Sequence, residues 1–324
     1  MCTTPAISVL LPVYNGSRYL REALNSILQQ TCADFELIII NDGSKDDSAD
    51  IIASFTDPRI RYFEQENIGL AATLNRAISL SRGAYLARQD QDDISYPERF
   101  KKQLRFLEEH PACGMVGTWA EIWQEEQKTG KQHLHPADNA TLQFELLFNN
   151  PFVHSSLMIR REVFDRVGLY CTDTSRQPPE DYEMWSRIAR SYEVANIPEV
   201  LHVYRGTGSG MSQQNWQKIM DKVVLISAEN IAFAAGADPF DPDVVNTAAL
   251  VNCVFRNLSG RPSLMGIKKV FDRAAQSVAG SCRDETGSLA LAVKTRWRNL
   301  CLNYYQCSIR PALHKVLDVF RKKR

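Results

Sequence analysis

Short apolar runs alternate with segments of helical period between Ile7 and about His110, the rhythm of βα units stacked around a mostly parallel sheet. Ile7 to Val13 predicts a first buried strand, and Leu20, Leu24, Ile27 and Leu28 then recur at helical spacing. Phe35 to Ile40 predicts a second strand with little alternation, as when both faces of a sheet are covered. A helix over Ser48 to Phe55, a strand over Ile60 to Phe63, a helix over Leu70 to Ser81 and a strand over Tyr85 to Arg88 continue the series. Ser95 with Glu98 three residues on has the form of a capping box, so a helix is expected to start there and bury Phe100, Leu104 and Leu107. Gly114 to Ile122 and Val200 to Tyr204 read as further strands and Glu180 to Arg190 as a helix. Beyond the glycines at 206, 208 and 210 the pattern is mainly helical.

Charge and cysteine usage narrow the function classes. The 324 residues hold 38 Lys+Arg against 38 Asp+Glu, so no whole-protein field exists to attract nucleic acid. The balance is uneven along the chain: Leu291 to Arg324 carries nine basic residues against Asp318 alone, a net +8. Within that tail Leu313, Val316, Leu317 and Phe320 fall on one helical face, followed by Arg321, Lys322, Lys323 and Arg324. Such a helix either docks on the protein, its cations meeting its own C-terminal dipole, or rests on an anionic membrane surface. Eight cysteines without a Cys-x-x-Cys pair argue for reduced thiols. No apolar run approaches the roughly eighteen residues of a membrane span, and Met1 to Ala6 lacks a signal-peptide pattern. The expectation is a cytoplasmic protein whose membrane contact, if it has one, is peripheral at the inner face of the plasma membrane.

Three polar groups fall where an open α/β sheet places its ligand, beyond the carboxyl ends of the strands. Pro12-Val13-Tyr14-Asn15 ends the first strand, Asp42 the second and Asp90-Gln91-Asp92 the fourth. Two carboxylates one residue apart can converge on a ribose hydroxyl and a hard cation. Mg²⁺ or Mn²⁺ is usually held by one or two protein carboxylates together with substrate phosphates. A solvated acidic turn would carry the same residues with no ligand at all.

In order along the chain, Pro12-Val13-Tyr14-Asn15, Asn41-Asp42-Gly43-Ser44, Asn67-x-Gly69, Asn75 and Arg88-x-Asp90-x-Asp92-Asp93 resemble the nucleotide-sugar half of the inverting glycosyltransferase family 2, of GT-A fold. His154-Ser155-Ser156, Gly168-x-Tyr170 and Glu180-Asp181-Tyr182-x-x-Trp185 resemble its acceptor half, and the resemblance spans about residues 5 to 212. It implies a GT-A type, mostly parallel sheet flanked by helices, divided into a nucleotide-sugar half at 1–110, an acceptor half at 111–215 and a mainly helical extension at 216–324. It further implies a bacterial enzyme of envelope polysaccharide or glycolipid synthesis that takes a UDP-sugar and a saccharide or lipid-linked saccharide acceptor. Tyr14 would lie against the nucleobase, Asp42 at its edge and Asp90 on the ribose, with Pro12, Asn15, Asn75 and Gln91 also lining the donor. Asp92 would hold Mg²⁺ or Mn²⁺, Asp181 would be the general base, and His154, Glu180 and Trp185 would meet the acceptor.

Two positions depart from the family pattern. Thr207 stands where a His often follows the Tyr204-Arg205 pair, leaving His133, His135 and His202 as other histidines to consider for a metal, and Leu74 replaces an Arg before Asn75. A nicotinamide oxidoreductase is excluded because the first turn holds only Gly16 where Gly-x-Gly-x-x-Gly is needed. A processive synthase would carry Gln-x-x-Arg-Trp, whereas Val293 stands three before Arg296-Trp297. The non-catalytic alternative is a sugar-nucleotide-binding or scaffold protein of the same fold.

Overall fold

The structure, a computed structural model, describes residues 4–207 and 216–309. Among the described residues the first half of the chain alternates strand and helix as the apolar pattern predicts. The elements are β1 (Ile7–Val13), α1 (Ser17–Leu28), β2 (Phe35–Asp42), α2 (Ser48–Ala53), β3 (Ile60–Gln65), α3 (Leu70–Leu80) and β4 (Tyr85–Arg88). They set β3, β2, β1 and β4 side by side and parallel, with Leu11 opposite Ile39 and Leu10 opposite Arg88. Both faces of β1 and β2 are covered, which is why their sequences lack alternation. Leu20, Leu24 and Ile27 of α1 pack with Val9, Leu11, Leu37 and Ile39 in the core beneath.

The second half of the sheet departs from the parallel pattern. It adds β5 (Ile94–Ser95), α4 (Arg99–Glu109), β6 (Cys113–Gln124), β7 (Gln127–His133), β8 (Met158–Arg160), α6 (Arg161–Val167), α7 (Glu180–Ala189) and β9 (Glu193–Gly206), while α5 (Asn139–Glu145) belongs elsewhere. β8 runs antiparallel between β4 and β6, β9 lies parallel to β6, and the two residues of β5 close the sheet against β9. The capping box does not form. Pro97 disfavours helical backbone at Tyr96, so α4 begins only at Arg99. Ser95 instead sits in β5, its hydroxyl donating to Gln89 Oε1 at 2.7 Å and accepting from Arg99 Nη1 at 2.5 Å.

The chain divides into two compact units, residues 1–137 with 151–214 and residues 138–150 with 215–324. The segment 138–150, which the motif order would assign to the acceptor half, packs with the C-terminal helices because Phe144 and Phe148 are buried there. The second unit comprises α5, α8 (Trp216–Ala235), α9 (Pro242–Val251), α10 (Leu264–Ser281) and α11 (Ser288–Tyr304). Phe271 of α10 stacks on Phe148 at 6.0 Å and meets Phe144 edge-on, and Arg296 of α11 pairs with Glu145. None of the described helices is long and apolar enough to cross a membrane. The amphipathic stretch from Leu313 to Arg324 lies outside the described residues.

Candidate active site

Parallel strands put the loops after β1, β2 and β4 along one edge of the first unit, and side chains lace these loops together. Asn15 adopts a left-handed backbone, φ 49°, which its short amide tolerates. Its N–H donates to Ser44 Oγ at 3.0 Å, and its Oδ1 accepts from the Lys45 N–H at 2.8 Å. Gly16 N–H donates to Ser48 Oγ and Ser17 N–H to Asp46, so the first loop is fastened to the second at four points. Pro12 is buried in β1 opposite Ile40, beyond the point where β4 pairs, and lacks only a donor that the ladder there does not need.

Asp42, expected at the nucleobase edge, is buried and committed to its own chain. Its Oδ1 accepts from Gln65 Nε2 at 2.6 Å and the Ile68 N–H at 3.0 Å, and its Oδ2 from the Gly69 N–H at 3.0 Å. The carboxylate thereby shapes the loop 66–69, whose Gly69 has φ 84°. Asn75 likewise makes two protein contacts: its Nδ2 donates to the Tyr170 carbonyl and its Oδ1 accepts from the Tyr170 N–H, each at 2.9 Å. Tyr14, by contrast, presents a ring 49% exposed. Its backbone N–H and carbonyl are both taken by the Gln91 amide, at 2.8 and 3.0 Å.

The acidic loop after β4 surrounds a buried cation. Arg88, 3% exposed, gives Nη2 to Asp90 at 2.5 Å, while its Nε has no partner among the described residues. Asp92 is half-buried and, among the described residues, its carboxylate makes no hydrogen bond to another side chain; burial, with repulsion from Asp93 and Asp90, pushes its carboxyl up to about 8. Such a carboxyl fits a divalent cation by its chemistry: it is a hard oxygen donor in a cluster of like charges that a cation would relieve. Among the described residues no group of three His, Cys, Asp or Glu side chains is arranged to hold a metal.

Asp93, named in the acidic motif but given no role there, lies behind Asp92 and is 1% exposed. It accepts from Ser155 Oγ, from the Arg205 N–H at 2.8 Å and from His202 Nε2 at 3.2 Å. Arg205 also sends Nε to the Asp92 carbonyl at 2.7 Å, Nη1 to the Glu125 carbonyl and Nη2 to Glu22. His202 is fully buried, with Nδ1 3.4 Å from Arg99 Nη1. A guanidinium only donates, so Nδ1 is the acceptor and Nε2 carries the proton toward Ser155 and Asp93. Burial, reinforced by Arg99, keeps this imidazole neutral. His133 and His135 stack on each other at 5.4 Å.

The acceptor-side residues gather at the start of α7. His154 faces Trp185 edge-on at 5.5 Å, places Nε2 3.4 Å from the Tyr170 hydroxyl and Nδ1 4.0 Å from Glu180. Trp185 is fully buried, with its Nε1 unpartnered among the described residues. Asp181 Oδ1 accepts from the Tyr182 N–H at 2.7 Å. Burial holds the Tyr170 phenol far above its usual range, and Arg88, Glu180, Asp181 and Asp90 all act on it electrostatically. The acids of the loop after β4 and of α7, about ninety residues apart in sequence, therefore share one neighbourhood. Asp93, Arg205 and His202 were missed as supports because burial, the property that defines them, has no signature in a short polar motif.

Residues 8–168 match the family described as Glycosyl transferase family 2. An uncharacterised glycosyltransferase of Haemophilus influenzae is 30% identical over 258 residues, covering 76% of this chain and 80% of that one. The amylovoran biosynthesis glycosyltransferase AmsE of Erwinia amylovora is 31% identical, covering 67% and 83%. Among solved structures, S. aureus TarS 1-349 in complex with UDP-GlcNAc superposes with a TM-score of 0.61 at 15% identity, covering 93% of this chain and 92% of that one. The mannosyltransferase PcManGT from Pyrobaculum calidifontis, in complex with GDP-Man and Mn²⁺, gives 0.54 at 17%, covering 94% and 88%. The fold is that of the GT-A glycosyltransferases.

Burial, with repulsion from Asp181, pushes Glu180 up to about 7 from an ordinary 4.5. Between those values the unfolded chain ionises while the native carboxyl does not, so stability falls as pH rises from about 4.5 through 7. Glu180→Gln should remove this slope, gaining on the order of 1–3 kcal/mol over the wild type at pH 8 and nothing at pH 4.5. Urea denaturation across that range measures it, and parallel stability curves for the two proteins would refute the assignment.

Proposed function

The chain belongs to glycosyltransferase family 2, and we propose that it transfers a sugar from a nucleotide-diphosphate donor, with UDP favoured, to an acceptor hydroxyl with inversion at the anomeric carbon. The observation that carries this reading is that Asp90, ion-paired with Arg88, and Asp181 of α7 both act on the buried Tyr170 phenol, which brings donor-side and acceptor-side acids into one neighbourhood. The exposed ring of Tyr14 offers a flat apolar face to a nucleobase, and Asp90 a carboxylate to the ribose hydroxyls. A divalent cation held by Asp92 would neutralise the charge of the departing diphosphate. Asp181 takes the proton of the acceptor hydroxyl as its oxygen bonds to the anomeric carbon and the bond from that carbon to the phosphate oxygen breaks. The pair leaving with the nucleoside diphosphate balances the pair donated by the acceptor. A single displacement of this kind inverts the centre.

His154 and Glu180, backed by the fully buried Trp185, would meet the acceptor, for which a saccharide or lipid-linked saccharide is the reading, supported by the likeness to the amylovoran biosynthesis glycosyltransferase AmsE. For a lipid-linked acceptor, contact with the inner face of the plasma membrane through the basic tail would shorten the search. The same tail begins in α11, which carries Lys294, Arg296 and Arg298 and no acidic residue.

Three measurements test this reading. Asp92→Ala should abolish Mn²⁺-dependent donor binding in calorimetric titrations, and full turnover in excess chelator would refute the metal assignment. Asp181→Asn should leave donor affinity nearly intact while turnover drops by about 10²–10⁴, the usual worth of a general base; a loss below about tenfold, or an NMR-detected product of retained configuration, would exclude the role. Full-length protein should pellet with anionic but not neutral vesicles and be released by salt. Equal sedimentation with both vesicle types would remove the tail from the mechanism.

A further inference from the structure

Gln91 is placed by the acidic motif among residues expected to touch the donor, yet both polar atoms of its amide are bonded to the protein. The Tyr14 N–H donates to Gln91 Oε1 at 2.8 Å and Gln91 Nε2 donates to the Tyr14 carbonyl at 3.0 Å. One side chain thus satisfies both polar groups of one backbone residue, as a neighbouring strand would, just past the point where β1 and β4 cease to pair at Leu10 and Arg88. The amide lies against the bare Cα of Gly16, where a Cβ would stand 2.4 Å from Gln91 Oε1 and 2.5 Å from its Cδ. Gly16 has φ −106°, which any residue adopts, so backbone conformation does not demand a glycine there. What the missing Cβ makes room for is the Gln91 amide.

We propose that Gln91 is a positioning residue: seated on Gly16, its amide clasps the backbone of Tyr14 and thereby fixes the angle at which the exposed Tyr14 ring meets the nucleobase of the donor. The clasp also ties the end of β1 to the loop that carries Asp90 and Asp92, so the base-facing and diphosphate-facing parts of the site move as one piece. This inference rests on the reading of Tyr14 as the nucleobase platform. It deepens that reading by naming what holds the platform.

A residue that acts only through Tyr14 has a distinctive signature in a double-mutant cycle, because once the ring is gone its holder has nothing left to hold. The experiment measures UDP affinity calorimetrically in excess Mn²⁺, with GDP as the alternative probe, for Tyr14→Ala, Gln91→Met, the double variant and Gly16→Ala. Gln91→Met keeps the length of the side chain and removes both hydrogen bonds. Gly16→Ala leaves Gln91 untouched and displaces its amide, a flexible side-chain end that moves at little expense to the fold. Each single variant should weaken binding about tenfold, within the worth of one base–aromatic stack, with the melting temperature unchanged. The double variant should be no weaker than either single one. Losses that multiply to about a hundredfold would show that Gln91 contacts the nucleotide itself and overturn the proposal. Wild-type affinity in Gln91→Met or in Gly16→Ala would overturn it equally. Wild-type affinity in Tyr14→Ala would instead remove the platform reading beneath it, and a wild type that binds neither UDP nor GDP would remove the donor reading altogether.

Discussion

Asp93 is the hinge pin of the first unit. Its carboxylate is taken out of water, which for an anion is tolerable only when every lone pair that matters is met. The donors come from distant parts of the chain: Ser155 from the turn before β8, and His202 and Arg205 from β9. Each of these is fixed in turn, His202 by Arg99, and Arg205 by Glu22, the Glu125 carbonyl and the rings of Tyr19 and Trp123. Because Asp93 and Asp92 are neighbours in sequence, the rigidity of the first is imposed on the second. The half-buried carboxyl proposed to hold a cation is thereby aimed without itself being bound to another side chain among the described residues.

That arrangement concentrates like charge, and two buried arginines make it tenable. Arg88 sits among Asp90, Asp92 and Asp93, and Arg99 lies behind them with its guanidinium bonded to Gln89, Ser95, Gln103 and the Arg88 carbonyl. Burial pulls Arg99 down to about 9, with Asp93 opposing, so it remains a cation near neutral pH. Two cations do not neutralise three carboxyls. Burial first, and this remaining imbalance second, raise the affinity of Asp92 for a proton, and that of Asp93 with it, and a divalent cation competing for the Asp92 position would bind with release of the proton.

How far this was legible from sequence depended on whether a feature is local. The first two strands are largely apolar runs, the next two short apolar stretches, and the helices between them carry a clear period, so their existence and order followed directly, within a few residues at each end. β7 reads QKTGKQH and is exposed along its length, so no apolar pattern marks it. β9 was expected only over Val200 to Tyr204 because Pro198 and Glu199 interrupt the run, yet pairing with β6 extends it to Glu193–Gly206. The capping box failed for a local reason too, Pro97, but what occupies Ser95 is a buried network spanning three elements. At the site, the ordered motifs name Tyr14, Asp42 and Asn75 alike. They do not distinguish Tyr14, which is exposed, from Asp42 and Asn75, whose side-chain polar atoms are bonded to the protein itself.

The residue between the two acids of the Asp-Gln-Asp triplet illustrates why that distinction is physical. A backbone residue offers one donor and one acceptor, and a primary amide offers the matching pair with no charge. A carboxylate at position 91 could accept from the Tyr14 N–H but not donate to its carbonyl, and it would add a fourth carboxyl beside Asp90, Asp92 and Asp93. A lysine could donate but not accept. Asn75 solves the same problem at Tyr170, again with two bonds to one backbone residue. Past the end of β1, where the ladder no longer holds the chain, the Gln91 amide continues it for one residue; after α6 the same pair of bonds from Asn75 holds Tyr170, whose phenol lies among the acids of the site.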